Sequence, residues 1–228
     1  MRHGRKTKSK RINGYKRHVA TDLESKAILA CCVTPANQPE HEALPVLKSE
    51  LDAQGIRIKE VHFDRGYMGS PTVDVLARAG TVILYKPWKA RNGDFFSKDA
   101  LVLNLRTKTI TCPAGAVQPI EFGRTTKFDS AVCDACPIRK KCTSAKLGNG
   151  RSVSTQADER LQKSLRKMAK TKSGRERFRE RVPVEHSLAR IGQRQGRRAR
   201  YKGTRKNTCD MRRAGIIQDL EIIQRNAA

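Results

Sequence analysis

The chain has 228 residues, enough for one or two domains with a sizeable core. Its 48 Lys and Arg against 22 Asp and Glu give a formal charge of +26, far beyond the ~2–8 typical of a small soluble domain. No apolar run approaches the ~20 residues a bilayer span needs, and no apolar stretch follows the basic start Met1-Arg2-His3-Gly4-Arg5-Lys6, so a membrane protein and a secreted one are excluded and a cytoplasmic binder of a polyanion, nucleic acid first, is expected.

Residues 1–14 form a basic arm without a single acid, suited to contact with phosphates. Two β runs follow, 15–21 and 27–33, with Asp22-Leu23-Glu24-Ser25 as the turn of a hairpin. The second run is continuously apolar, as in a strand covered on both faces, and its Cys31 and Cys32 are core residues. After Pro35 and Pro39 a helix is predicted over 42–51, with Leu44, Val46, Leu47 and Leu51 near one face. Alternation of Ile56, Ile58, Val61 and Phe63 predicts a strand over 56–63. Gly66 and Gly69 then lead to Ser70-Pro71, an N-cap with proline at the first helical position. That helix ends at Gly80, before a short buried strand over 81–85. A hairpin followed by strands separated by helices indicates an α/β sheet of mixed direction.

Prolines, glycines and a cysteine group then replace the periodic segments, so 87–154 reads as an insertion into a core begun by 15–86. Residues 155–228 are expected to complete that core with helices. Charged residues of helical character lead to Pro183, which is best tolerated in a first helical turn, so a helix is predicted from about Val182 to Ile191. A dense basic run from Arg194 to Lys206 precedes a last amphipathic helix with Met211, Ile216, Ile217, Leu220 and Ile223 on its apolar face.

Two acids stand out. Asp64 lies where a strand ends and a glycine turn begins, in His62-Phe63-Asp64-Arg65-Gly66-Tyr67, and functional side chains gather beyond the carboxyl ends of strands in open α/β sheets. The plain alternative is a carboxylate that only shapes its turn. Glu185 lies in the first turn of the 182–191 helix, with Phe178 and Arg181 before it; its plain alternative is an acid placed to favour the helix dipole. His18, His62 and His186 are candidates to approach these acids, although no spacing assigns them a role.

Taken together and in order, these segments resemble the DDE-type transposases of bacterial insertion sequences. Asp64-Arg65-Gly66-Tyr67 matches the motif around that family's second catalytic acid, and Phe178, Arg181 and Glu185 match the motif around its third. The hairpin from Gly14 to Asp22, with Val33-Thr34-Pro35-Ala36-Asn37, is also similar. The resemblance implies a ribonuclease-H-like mixed sheet and Mg²⁺-dependent cleavage and transfer of DNA strands. In that chemistry two ions ~3.5–4 Å apart activate the nucleophile and stabilise the leaving oxygen, and hard Mg²⁺ favours carboxylate ligands such as Asp64 and Glu185.

The match has three departures. Phe178 stands where tyrosine is usual, and Gly192 stands where a basic residue is usual, with Arg190 or Arg194 as substitutes. The family's first aspartate lies on a strand before the hairpin, and this chain begins too late to contain it; Asp22 reads as a turn residue. The expected sheet is therefore incomplete, its first strand missing, with two open edges that invite aggregation. Activity of the isolated chain is expected to be impaired, and the alternative is an inactive DNA-binding remnant.

The remaining expectations concern metal and DNA. Cys112, Cys133, Cys136 and Cys142 supply the four thiolates of a Zn²⁺ site in the insertion, and some relatives carry a similar cluster; the alternative is four reduced thiols in a loop-rich segment. Tyr67, Arg181, Arg190, Arg194, Arg197 and Arg198 are the expected DNA contacts, mostly to the backbone. A homodimer is what the resemblance implies for bringing two DNA ends together.

Overall fold

The structure is a computed structural model and describes residues 3–5, 11–90, 92–196 and 198–227. It is mixed α/β, with several small sheets. Met1–Lys86 with Ser173–Ala228 forms one compact unit and Pro87–Lys172 a second.

The first unit opens with β1 (His3–Arg5) antiparallel to β2 (Arg11–Asn13), so the described part of the basic arm is paired backbone. The predicted hairpin follows as β3 (Tyr15–Thr21) and β4 (Ile28–Pro35). Strand alternation explains why β4 is apolar throughout. Cys31 and Val33 pack with Ile191, Met211 and Ala214 on one face, while Ala30 and Cys32 pack with Ala43, Leu47 and Leu51 on the other. Burial pushes the Cys31 and Cys32 thiols up to about 11 and about 12, as expected of inert core cysteines.

A 3₁₀ turn (Glu40–Ala43) leads into α1 (Leu44–Ala53), whose Leu44, Leu47 and Leu51 are buried. Next come β5 (Glu60–His62), α2 (Pro71–Arg78) and β6 (Val82–Leu84), which runs parallel to β5. Ser70 caps α2 by accepting from the Thr72 amide, and Gly80, at φ +81°, ends it. The strand predicted over 56–63 is paired only from Glu60 to His62. Ile56 and Ile58 do face the core formed with α1, but β6 is three residues long and offers no ladder to the earlier part.

The sheets β3–β4 and β5–β6 are separate, and among the described residues no strand occupies the second edge of β3 or of β5. A cavity of ≈480 Å³ opens beside both edges. Val19 and Ala20 of β3, Val61 of β5, and Leu47 and Leu51 of α1 line it.

In the second unit β7 (Val102–Asn104), β8 (Thr109–Thr111) and β9 (Val117–Pro119) form an antiparallel sheet. A second sheet pairs β10 (Thr125–Lys127) with β11 (Ser152–Ser154), between which lie α3 (Ser130–Asp134) and α4 (Arg139–Cys142). Leu101, Leu103, Ile110, Ile120, Phe128 and Val153 are its core. The sequence boundary at 154 gives the next helix, α5 (Glu159–Lys170), to the C-terminal part, yet α5 lies within the second unit. The fully buried Glu159 carboxylate ties it there, ion-paired with Lys98 at 2.6 Å and Arg166 at 2.7 Å.

The first unit resumes through α6 (Lys172–Arg177), α7 (Val182–Gln195) and α8 (Thr204–Ala227). Of the predicted apolar face of the last helix, Met211 is buried and the rest is not. Ile216, Ile217, Leu220 and Ile223 are exposed, whereas Asn207, Asp210, Met211, Ala214, Gly215, Gln218 and Ile222 are buried. Polar partners and small residues explain this rotation. Gln218 donates to Ser187 Oγ, Asn207 donates to the Tyr201 and Gly203 carbonyls, and Gly215 lets the helix lie close to Ile28.

Candidate active site

β5 and the segment entering α7 bring the two acids together. Asp64 follows β5 in extended conformation and precedes the 3₁₀ turn Arg65–Tyr67. Its neighbours are anchored inward, because Phe63 is buried and packs near the Tyr67 ring. Gly66 lets the Glu40 carboxylate lie against this turn, since a Cβ there would meet it at 2.1 Å and push that side chain aside. Asp64 is thus left exposed beyond the strand end.

Glu185 is in the first turn of α7, together with Pro183. Ile191, one face further along, is fully buried against β4, and Val184 and Leu188 line the apolar cavity. These anchors fix the helix so that Glu185 points to solvent on the Asp64 side. The guanidinium of Arg181 joins the two acids, donating to Asp64 Oδ1 and lying 3.4 Å from Glu185 Oε1.

A second ion pair runs beside the first. Arg177 donates to Glu60 Oε2 with the same 117-residue offset that separates Arg181 from Asp64. Glu60 and His62 share a face of β5, and extended Asp64 continues the same alternation beyond it. His62 Nε2 is 2.7 Å from Glu60 Oε1 and 3.6 Å from Glu180 Oε2. Each of Glu60, His62 and Glu180 offers one ligand atom to a cluster in which all lie within 4.8 Å of one another, the metal-sized group found among the described residues. Burial raises the Glu60 carboxyl, but hydrogen bonds from His62 and Arg177 outweigh it and hold Glu60 below the usual range. Sequence reasoning passed over Glu60, Arg177 and Glu180. The period-two row of Glu60, His62 and Asp64 was the signal that could have found the first.

The other histidines have different surroundings. His18 is buried, with Nδ1 2.6 Å from the Tyr67 hydroxyl and Nε2 2.8 Å from Thr34 Oγ1. Burial, then the charge of Lys16, lowers its pKa to about 4. Tyr67, expected at the DNA surface, therefore has its hydroxyl committed to His18, and burial pushes its pKa up. His186 lines a separate cavity with Arg190 and Gln218. Asp22 is a turn residue, its Oδ2 accepting from the Glu24 and Ser25 amides.

Arg190, Arg194 and Arg198 are exposed; Arg194 pairs with Glu221, and Arg197 lies outside the described residues. Gly192, which departs from the family motif, leaves room for another cation. A Cβ there would stand 3.2 Å from the Arg17 guanidinium, which also donates to the Gly196 carbonyl.

In the second unit Cys112, Cys133, Cys136 and Cys142 line one cavity of ≈260 Å³ together with Arg151. Arg151 donates to the Cys142 carbonyl, and its amide meets Cys133 Sγ at 3.5 Å. Burial raises the Cys142 thiol; nearby Arg151 opposes this, and the other three cysteines reinforce it.

The family model of the transposase DDE domain matches residues 1–217. No curated protein and no solved structure matches the chain. No helix among the described residues is long and apolar enough to cross a membrane.

Proposed function

The chain belongs to the transposase DDE-domain family, and from that premise we propose that it cleaves and transfers DNA strands at the ends of an insertion sequence, with Asp64 and Glu185 as the second and third acids of the site. One observation carries this reading: two carboxylates 121 positions apart in sequence converge on the single guanidinium of Arg181. A site that already gathers two exposed carboxylates around a cation fits a hard divalent ion. Asp64 and Glu185 would hold Mg²⁺, which when bound supplies activation of the attacking oxygen and charge stabilisation of the leaving one. The chain's own cations do the rest. Arg181 leaves the carboxylates for a phosphate oxygen, Arg17 reaches the backbone past Gly192, and Arg190, Arg194, Arg197 and Arg198 neutralise further phosphates.

The first acid is supplied, in this reading, by an extended segment seated in the ≈480 Å³ cavity. Two open strand edges beside an apolar cavity are what an added strand completes, and its Asp would sit at the Asp64 end. The completed sheet is the ribonuclease-H-like one. Residues 87–154 are then an insertion, which the discontinuous first unit supports, and α5 extends that insertion. Its four cysteines take Zn²⁺ by drawing together from the cavity they share, since no three of their sulfurs yet lie within 4.8 Å of one another. Two chains pair to hold two DNA ends, for which the exposed Ile216, Leu220 and Ile223 offer an apolar face.

The test is to fuse an apolar β-strand bearing one Asp upstream of the hairpin and assay Mg²⁺-dependent nicking and strand transfer on DNA carrying the element's ends. Nicking by the fusion that disappears in both Asp64→Asn and Glu185→Gln supports the proposal. Nicking that survives either substitution overturns the assignment.

A further inference from the structure

We propose that Glu60, His62 and Glu180 form a second metal site, distinct from the Asp64–Glu185 pair and selective for a first-row transition ion. This inference does not rest on the functional reading above. Three donor atoms from two separate elements already lie within 4.8 Å of one another. His62 Nε2 stands between the two carboxylates, 2.7 Å from one and 3.6 Å from the other. Its side chain is only 3% exposed, so the ring cannot swing out to solvent, while Glu180 at 49% leaves the site an entrance.

Charge argues the same way. In a chain of +26, two carboxylates here face one histidine, and the guanidinium of Arg177 engages Glu60 Oε2. That hydrogen bond leaves Glu60 Oε1 turned to His62 Nε2, and a bound ion would take the place of the proton the two atoms share. An imidazole nitrogen with two carboxylate oxygens suits Zn²⁺, Mn²⁺ or Fe²⁺ and is a poor match for Mg²⁺, which demands oxygen ligands and keeps its waters.

Position gives the ion a task. Glu60 and His62 belong to β5, whose end carries Asp64, and Glu180 belongs to the turn before α7, which carries Glu185. An ion here ties the two elements at the residues adjoining both acids. It is a structural clamp that fixes their separation, with no part in bond breaking.

Mn²⁺ is the suitable probe, because soft thiolates compete poorly for it and the cysteine cavity stays silent. Bound Mn²⁺ is counted by electron paramagnetic resonance on the full chain, comparing wild type, the Asp64→Asn/Glu185→Gln double variant, His62→Gln and Glu180→Gln. The double variant should retain one Mn²⁺ with unchanged affinity. His62→Gln and the solvent-facing Glu180→Gln should each weaken that ion at least about tenfold. Loss of all Mn²⁺ in the double variant, or wild-type binding in either His62→Gln or Glu180→Gln, overturns the proposal. The first of these outcomes leaves the Asp64–Glu185 reading intact.

Discussion

Arg181, at the entrance to α7, holds the carboxylate of Asp64 at the end of β5. The same guanidinium reaches Glu185 one helical turn further on, so it lies between the two acids. If those acids hold the ion as proposed, Arg181 competes with it, and Arg181→Ala should bind Mg²⁺ more tightly than wild type. Both carboxylates are largely exposed, so the substitution itself should cost no more than about 1 kcal/mol. Melting temperature against Mg²⁺ concentration checks this: the variant should gain more from Mg²⁺ than the parent, and an equal gain would remove Arg181 as a competitor.

His18 makes stability pH-dependent. Its folded pKa of about 4 lies below the unfolded value of 6.5, so the unfolded chain binds the extra proton first. The contribution is fully present above pH 6.5 and is lost as pH falls towards 4, where it levels off. The loss should amount to roughly 2–3 kcal/mol. Urea midpoints measured from pH 7.5 to 4 should show that decline in wild type and a shallower one in His18→Gln.

Glu159 is the test of the second unit. Removing its carboxylate leaves Lys98 and Arg166 without their buried partner, so Glu159→Ala should destabilise that unit by about 3–5 kcal/mol. Glu221→Ala, which breaks only the exposed pair with Arg194, should leave the urea midpoint in place. Equal effects of the two would mean that burial of Glu159 does not matter.

DNA affinity should fall steeply with salt, because the expected contacts are to phosphates. Arg198→Ala should weaken binding to all sequences alike and reduce the slope of log affinity against log salt by about 1. Fluorescence anisotropy at several salt concentrations measures both.

The hairpin was legible because each of its signals is local: alternation, a turn with Asp22, and an apolar run long enough only for a strand buried twice. The helix of Glu185 was legible through Pro183. Less was readable where the outcome depends on a partner. Ile56 and Ile58 alternate like strand residues but lack a neighbour to pair with, and the last helix is turned by Ser187, Ile28 and other contacts far away in the chain. At the site, motifs pointed to Asp64 and Glu185, which the fold brings to one guanidinium. Arg17 was not, because its proximity to Gly192 joins residues 175 positions apart. Glu60, Arg177 and Glu180 carry no motif; only the fold puts the row on β5 opposite the approach to α7.

The central claim is that Asp64 and Glu185 grip the same ion, and a thermodynamic cycle on Mg²⁺-induced stabilisation tests it most directly. Melting-temperature gains from Mg²⁺ are measured for wild type, Asp64→Asn, Glu185→Gln and the double variant. With one shared ion, each single substitution abolishes most of the gain and the second adds little. Two independent, additive losses would show that the acids bind separate ions and would contradict the account.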